Sequence, residues 1–194
     1  MTRILLVRHG QSEWNADGRW QGQENPPLTA LGRLQANRAS NAVGAVDAIY
    51  ASPLDRAATT AMIIAESTGI GPVLIVDGLM ERHAGEWQGL THDQIEEQYP
   101  GYLAERRRPP HWEPDEDVEK RVIAALDSIA DENHDGHVLA VAHAGVIYSA
   151  ELAFGAEWER LANLAGRWLE RVDGSWSLGE RVHLLIEETI PDQL

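Results

Sequence analysis

Apolar residues along this chain fall into short continuous runs, separated by longer stretches in which they recur every three or four positions. The runs at 4–7 (ILLV), 48–52 (AIYAS), 73–76 (VLIV) and 137–143 (HVLAVAH) read as strands, since a strand buried on both faces carries such a run rather than an alternation. The stretches between them read as helices. From Thr29 onward, Leu31, Leu34, Ala39 and Val43 are spaced for one helix face, with Thr29 as its cap. Residues 54–67 predict a second helix, and the capping-box spacing of Thr91 and Gln94 starts a third. Residues 115–132 form a long amphipathic pattern with Asp115, Glu116 and Asp117 in the first turn, where the helix dipole favours negative charge. A further helical stretch begins at about Val146. The Pro-rich segment 106–114 cannot continue a helix and reads as an irregular loop. The C-terminal part predicts a hairpin: RWLERV (167–172), a turn in DGSW (173–176), then RVHLLIEE (181–188).

Strands interleaved with helices from end to end predict an α/β fold, a three-layer αβα sandwich around a mostly parallel sheet. With no internal repeat or linker-like tract, the 194 residues are expected to form a single domain. In such sheets ligands bind beyond the carboxyl ends of the strands. His9 sits just past the first strand and His143 closes the last apolar run, so two histidines are expected on one rim.

Composition narrows the function. Hydrophobic residues at 43% and charged residues at 24% describe an ordinary globule. The chain has no run long enough for a membrane span, and Met1-Thr2-Arg3 leads straight into a strand without a signal-peptide pattern, so a cytoplasmic location and no membrane partner are expected. Zero cysteines exclude disulfides and thiolate metal sites. A formal net charge of −15 argues against nucleic acid as a partner, because phosphate backbones would be repelled. A small anionic ligand is still admissible if arginines cluster locally, since charges are screened over ~8 Å at physiological salt.

Five ordered blocks carry a resemblance: LVRHGQSEWN (6–15), QGQENPPLTALGRLQA (21–36), SPLDRAATTA (52–61), LMERHAGEWQGLT (79–91) and VAHAGV (141–146). Together they resemble the histidine phosphatase superfamily, also called phosphoglycerate mutase-like. The resemblance implies that a neutral His9 attacks phosphorus, which suits an imidazole whose other nitrogen is tied to a carbonyl. It makes Arg8 and Arg56 the arginines gripping the phosphate, His143 a cationic donor to it, and Glu81 the general acid for the leaving group. Asn15, Gln21, Gly22, Arg82 and Arg108 make up the implied substrate side, with no cofactor and no metal. Glu86 is the rival carboxylate, and an ion pair with Asp55 or Glu66 is the plain structural reading of Arg56. Trp14, Trp20 and Trp112 are candidate pocket walls. Asn25 and Ala144 depart from the usual pattern, where many relatives carry aspartate and glycine.

The implied reaction is metal-independent hydrolysis of a small phosphomonoester, a phosphorylated sugar or glycerate derivative, with homodimerisation left open. ERHAG at 81–85 and the triplet Arg106, Arg107 and Arg108 are mutase-like features, so an isomerase on the same site is the alternative, and a solvated basic turn is the plain reading of the triplet. A metal hydrolase lacks the local ligand spacing of H-E-x-x-H. A non-catalytic binding protein would be expected to have lost one of the five catalytic candidates, and all are present.

Overall fold

The computed structural model describes residues 1–185. Six strands, β1 (Thr2–Arg8), β2 (Ala48–Ala51), β3 (Val73–Ile75), β4 (His137–Ala142), β5 (Ala165–Val172) and β6 (Ser175–His183), form one sheet in the order β3-β2-β4-β1-β5-β6. The pairings β1–β4, β4–β2 and β2–β3 are parallel, whereas β5 joins β1, and β6 joins β5, in antiparallel sense. The sheet is thus mostly parallel with an antiparallel hairpin on one side, as the predicted C-terminal turn requires.

The helices are α1 (Glu13–Ala16), α2 (Ala30–Ala39), α3 (Asp55–Thr68), α4 (His92–Gln98), α5 (Asp115–Glu132) and α6 (Ala144–Ala153), and α2 and α3 cover one face of the sheet while α5 and α6 cover the other. Successive side chains of a strand point to opposite faces, and β1 divides accordingly. Ile4 and Leu6 pack with Val122, Leu126, Ile129 and Ile147 of α5 and α6, while Leu5 and Val7 pack with Ala39, Ala57, Ala61 and Ile64 of α2 and α3. Ile4 to Val7 are at most 1% exposed, which is why their run lacks alternation. The three layers follow from helices on both faces.

Several boundaries differ from the pattern-based expectation. Leu34 is 45% exposed, and the neighbouring Gln35 is buried instead. A buried polar group needs a partner, and Gln35 Oε1 has one in the amide of Gln11, 2.8 Å away. The helix ends at Ala39, so Val43 reaches the core from the following loop. The hairpin turn is shorter than DGSW: β6 starts at Ser175, directly after Asp173 and Gly174, which both have positive φ. The end of the predicted second strand, 186–188, lies outside the described residues. α6 starts at Ala144, two positions before Val146.

Thr91 does cap α4 with a full capping box, and 106–114 is irregular, as proline dictates. Among the described residues no helix is long and apolar enough to cross a membrane.

Candidate active site

Parallel strands that end together deliver whatever follows them to one place. β2, β4 and β1 are adjacent, and they are followed by Ser52, His143 and His9. The backbone ladder continues past the strand ends, with the Ser52 amide donating to Val141 O and the His9 amide to Ala142 O. The two histidine rings meet edge to face with centroids 5.1 Å apart. His9 is 2% and His143 0% exposed.

His9 Nδ1 lies 2.6 Å from the carbonyl oxygen of Gly10. A carbonyl only accepts, so Nδ1 carries the proton and Nε2 keeps its lone pair. The ring's own backbone is fixed in turn: Asn163 Nδ2 donates to His9 O at 2.8 Å, and the Gly10 amide to Thr60 Oγ1 at 3.1 Å. A side chain at Gly10 would come 2.6 Å from the Gly32 carbonyl, which explains the glycine after the histidine. Burial, and then the positive charges of Arg56 and Arg8, hold the His9 pKa well below the ordinary imidazole value.

His143 Nε2 sits 2.8 Å from Ser52 Oγ, while its buried Nδ1 has no hydrogen-bond partner. Burial and the charges of Arg56, His9 and Arg8 push its pKa well below the usual value as well. These causes favour the neutral imidazole, whereas the cationic, donating His143 that the resemblance implies is one that faces a phosphoryl dianion.

The arginines are anchored by carbonyls. Fully buried Arg56 donates through Nη1 to Glu24 O (2.7 Å) and through Nη2 to Gly22 O (2.8 Å). This replaces the ion-pair reading with Asp55 or Glu66. Burial lowers its pKa to about 10, so it stays charged at neutral pH. Gly22 presents that carbonyl from φ +50, and a side chain there would strike Gln88 and the Ala84 amide. Asn25 Oδ1 accepts from the first amide of α3, Asp55 N, at 2.8 Å, capping the helix that carries Arg56. Its departure from aspartate keeps a capping oxygen. Arg8 Nη1 donates to Leu161 O at 2.6 Å.

Glu81 reaches the same place from the segment after β3. Its Oε1 accepts from Arg82 N (2.8 Å) and its Oε2 from Gly145 N in the first turn of α6 (3.2 Å). Ala144 opens that helix with ordinary helical backbone, so it needs no glycine. Glu86 is exposed and accepts from Tyr99 Oη, away from the site.

Arg8, His9, Arg56, Glu81 and Gly145 line a cavity of about 630 Å³, while His143 and Ser52, fully buried, lie behind its wall. Asn15, Gln21, Gly22, Arg82 and Arg108 all border it, as do Trp20 and Trp112. Asn15 Oδ1 accepts from the Ser12 amide at 3.1 Å, and Gln21 Oε1 from Ser12 Oγ at 2.7 Å. Arg108 lies over the Trp112 ring at 4.7 Å, and Arg82 over the same ring at 5.5 Å. Trp20, Trp87 and Trp112 pack edge to face at 5.3 to 5.7 Å behind them. Trp14 is not a wall of this cavity. The arginine triplet divides: Arg107 pairs with Glu105 and stacks on Tyr102, and only Arg108 turns inward. Six arginines, Arg8, Arg19, Arg56, Arg82, Arg108 and Arg160, border the cavity against three carboxylates, Glu81, Asp115 and Glu119. A locally cationic pocket thus exists in a chain of net charge −15. Sequence reasoning missed Ser52, Asn163 and the wall formed by Tyr148, Leu152 and Trp158, none of which has a spacing signal of its own.

A model of the family described as histidine phosphatase superfamily (branch 1) matches residues 4–178. The chain is 35% identical over 198 residues to a glucosyl-3-phosphoglycerate phosphatase of Mycobacterium tuberculosis, covering 91% of this chain and 87% of that protein. It is 36% identical over 157 residues to a metal-independent phosphoserine phosphatase of Arabidopsis thaliana, covering 76% and 66%. Among solved structures, the mycobacterial glucosyl-3-phosphoglycerate phosphatase complexed with VO3 superposes with a TM-score of 0.81 at 33% identity, over 91% of this chain and 96% of that one.

Proposed function

Because the chain belongs to the histidine phosphatase superfamily, we propose that it hydrolyses small phosphomonoesters through a phosphohistidine formed on His9. The observation that carries this is the Nδ1 to Gly10 carbonyl contact of 2.6 Å, which leaves Nε2 unprotonated on a ring that lines the cavity together with Arg8 and Arg56.

In the first step the Nε2 lone pair attacks phosphorus. The N–P bond forms as the ester P–O bond breaks, and Glu81 passes a proton to the leaving oxygen. Arg8, Arg56 and the Asn15 carboxamide hold the equatorial oxygens, where charge builds up in a loose transition state. A bound phosphoryl dianion would also draw a proton onto His143, which then donates to it. In the second step the Glu81 carboxylate takes a proton from water, water oxygen attacks phosphorus, and the N–P bond breaks to return neutral His9 and release phosphate.

The substrate follows from the chemistry of the leaving side. Arg82 is already paired with Asp115 at 2.7 Å, so Arg108 on the Trp112 ring is the guanidinium that suits a carboxylate, while Glu119 suits hydroxyls. A phosphorylated glycerate derivative, bare or glycosylated, meets both. Leu152 and Trp158, at 57% and 64% exposed, form an open side of the cavity, which gives water access to the phosphoenzyme and favours hydrolysis over return of the phosphoryl group to a retained glycerate.

The test is a rapid quench into alkaline detergent during turnover of labelled substrate at neutral pH. Acid-labile, base-stable label on His9 is expected, together with loss of turnover in His9→Ala. Near-wild-type rates in that variant would end the covalent reading.

A further inference from the structure

Arg121, on α5, lies 40 residues from Glu81 in sequence, yet every one of its donors is spent around the segment that carries Glu81. Nε donates to Glu113 Oε1 (2.7 Å), and Nη2 to Glu113 Oε2 (3.0 Å) and Glu81 O (3.2 Å). Nη1 donates to Gly78 O (2.9 Å) and Met80 O (2.6 Å). A guanidinium has five N–H groups in a fixed fork, and here they meet five acceptors. Glu113 continues the clamp: its Oε2 accepts from His83 N (2.9 Å), its carbonyl from Arg82 Nη1 (2.7 Å), and its amide donates to His83 O (3.0 Å). Gln23 Nε2 adds a second donor to Glu81 O at 3.0 Å.

Residues 80–83 belong to no helix or strand, so no backbone ladder holds the peptide from which Glu81 projects. The Arg121–Glu113 pair, with side chains 21% and 17% exposed, takes over that task from both sides. We propose that Arg121, held by Glu113, is a positioning residue for Glu81, fixing the backbone from which its carboxylate reaches the leaving-group oxygen. This rests on Glu81 being the proton donor. A proton donor must sit within hydrogen-bond reach of its target, and a displacement of about 1 Å is enough to cost ~10²-fold in rate.

Arg121→Lys tests it, because lysine keeps the charge but has three donors on one nitrogen. Glu113→Gln, which keeps shape and puts an NH2 against a donor, is the second variant should the first fail to fold. Each is assayed on glycerol 3-phosphate, a poor leaving group, and on p-nitrophenyl phosphate, which needs little protonation. We expect kcat on the alkyl ester to fall about tenfold or more and on the aryl ester by less than about threefold. Added to Glu81→Gln, Arg121→Lys is expected to have little further effect. Unchanged rates, equal losses on both esters, or losses that multiply in full with Glu81→Gln would overturn the proposal. If Glu81→Gln alone slows both esters equally, Glu81 is not the acid and both readings fall together; selectivity in Glu81→Gln but not in Arg121→Lys removes only this one.

Discussion

His9 and His143 touch edge to face at 5.1 Å between ring centroids, both buried and both held neutral by burial and by Arg56 and Arg8. In the unfolded chain each titrates near the ordinary value of about 6.5. Between that value and their lowered native values, the unfolded state therefore binds more protons than the native state, and stability rises with pH. We expect the unfolding free energy from urea titrations to fall as pH drops below about 6.5, by at most about 1.4 kcal/mol per pH unit for each histidine. Replacing both with glutamine should flatten that slope. An unchanged slope in the double variant would mean that acid destabilisation comes from the carboxylates alone.

A side-chain carbon at Gly145 would lie 2.3 Å from Glu81 Oε1, although the helix that holds this glycine would welcome an alanine. Gly145→Ala is therefore expected to leave the melting temperature nearly unchanged and to displace the Glu81 carboxylate. Turnover of alkyl phosphates should drop about tenfold or more, with aryl phosphates much less affected. Parallel steady-state assays on the two ester classes check this.

Arg108 faces the cavity over Trp112 while Arg107 is engaged with Glu105 and Tyr102. Arg108→Ala should raise KM for carboxylated phosphate esters about tenfold and leave p-nitrophenyl phosphate nearly unchanged. Arg107→Ala should alter neither. Equal effects from the two variants would return the triplet to a solvated turn.

Charge stabilisation in the proposed scheme comes from Arg8, Arg56 and a His143 protonated by the bound anion. Activity should therefore survive saturating EDTA. A loss restored by added zinc or magnesium would call for a different mechanism.

The pairing of the two histidines in the candidate site was legible because two signals coincide. RHG and AHAG stand where apolar runs stop, and a parallel sheet brings such ends together, so His9 and His143 could be paired across 134 positions. Arg56 was legible as a residue type but not in its setting: nothing in SPLDRAATTA says that its fork will be filled by the carbonyls of Gly22 and Glu24. Leu34 and Gln35 exchange roles for the same reason. Periodicity favours the leucine, but a tertiary contact to the Gln11 amide decides the face. Ser52 meets His143 across 91 positions, Asn163 meets His9 across 154 and Arg121 meets Glu81 across 40, and tertiary contacts of this kind leave no period or spacing to read.

Trp20, Trp87 and Trp112 stand in mutual edge contact at 5.3 to 5.7 Å, and two of the three form cavity wall beneath Arg82 and Arg108. Transition dipoles of indoles this close couple, so the cluster is expected to act as a coupled chromophore with a circular dichroism signal of its own. Any ligand that draws Arg108 off the Trp112 face changes the surroundings of that chromophore. The chain thus contains an intrinsic optical gauge of occupancy on the leaving-group side, readable without label and without turnover.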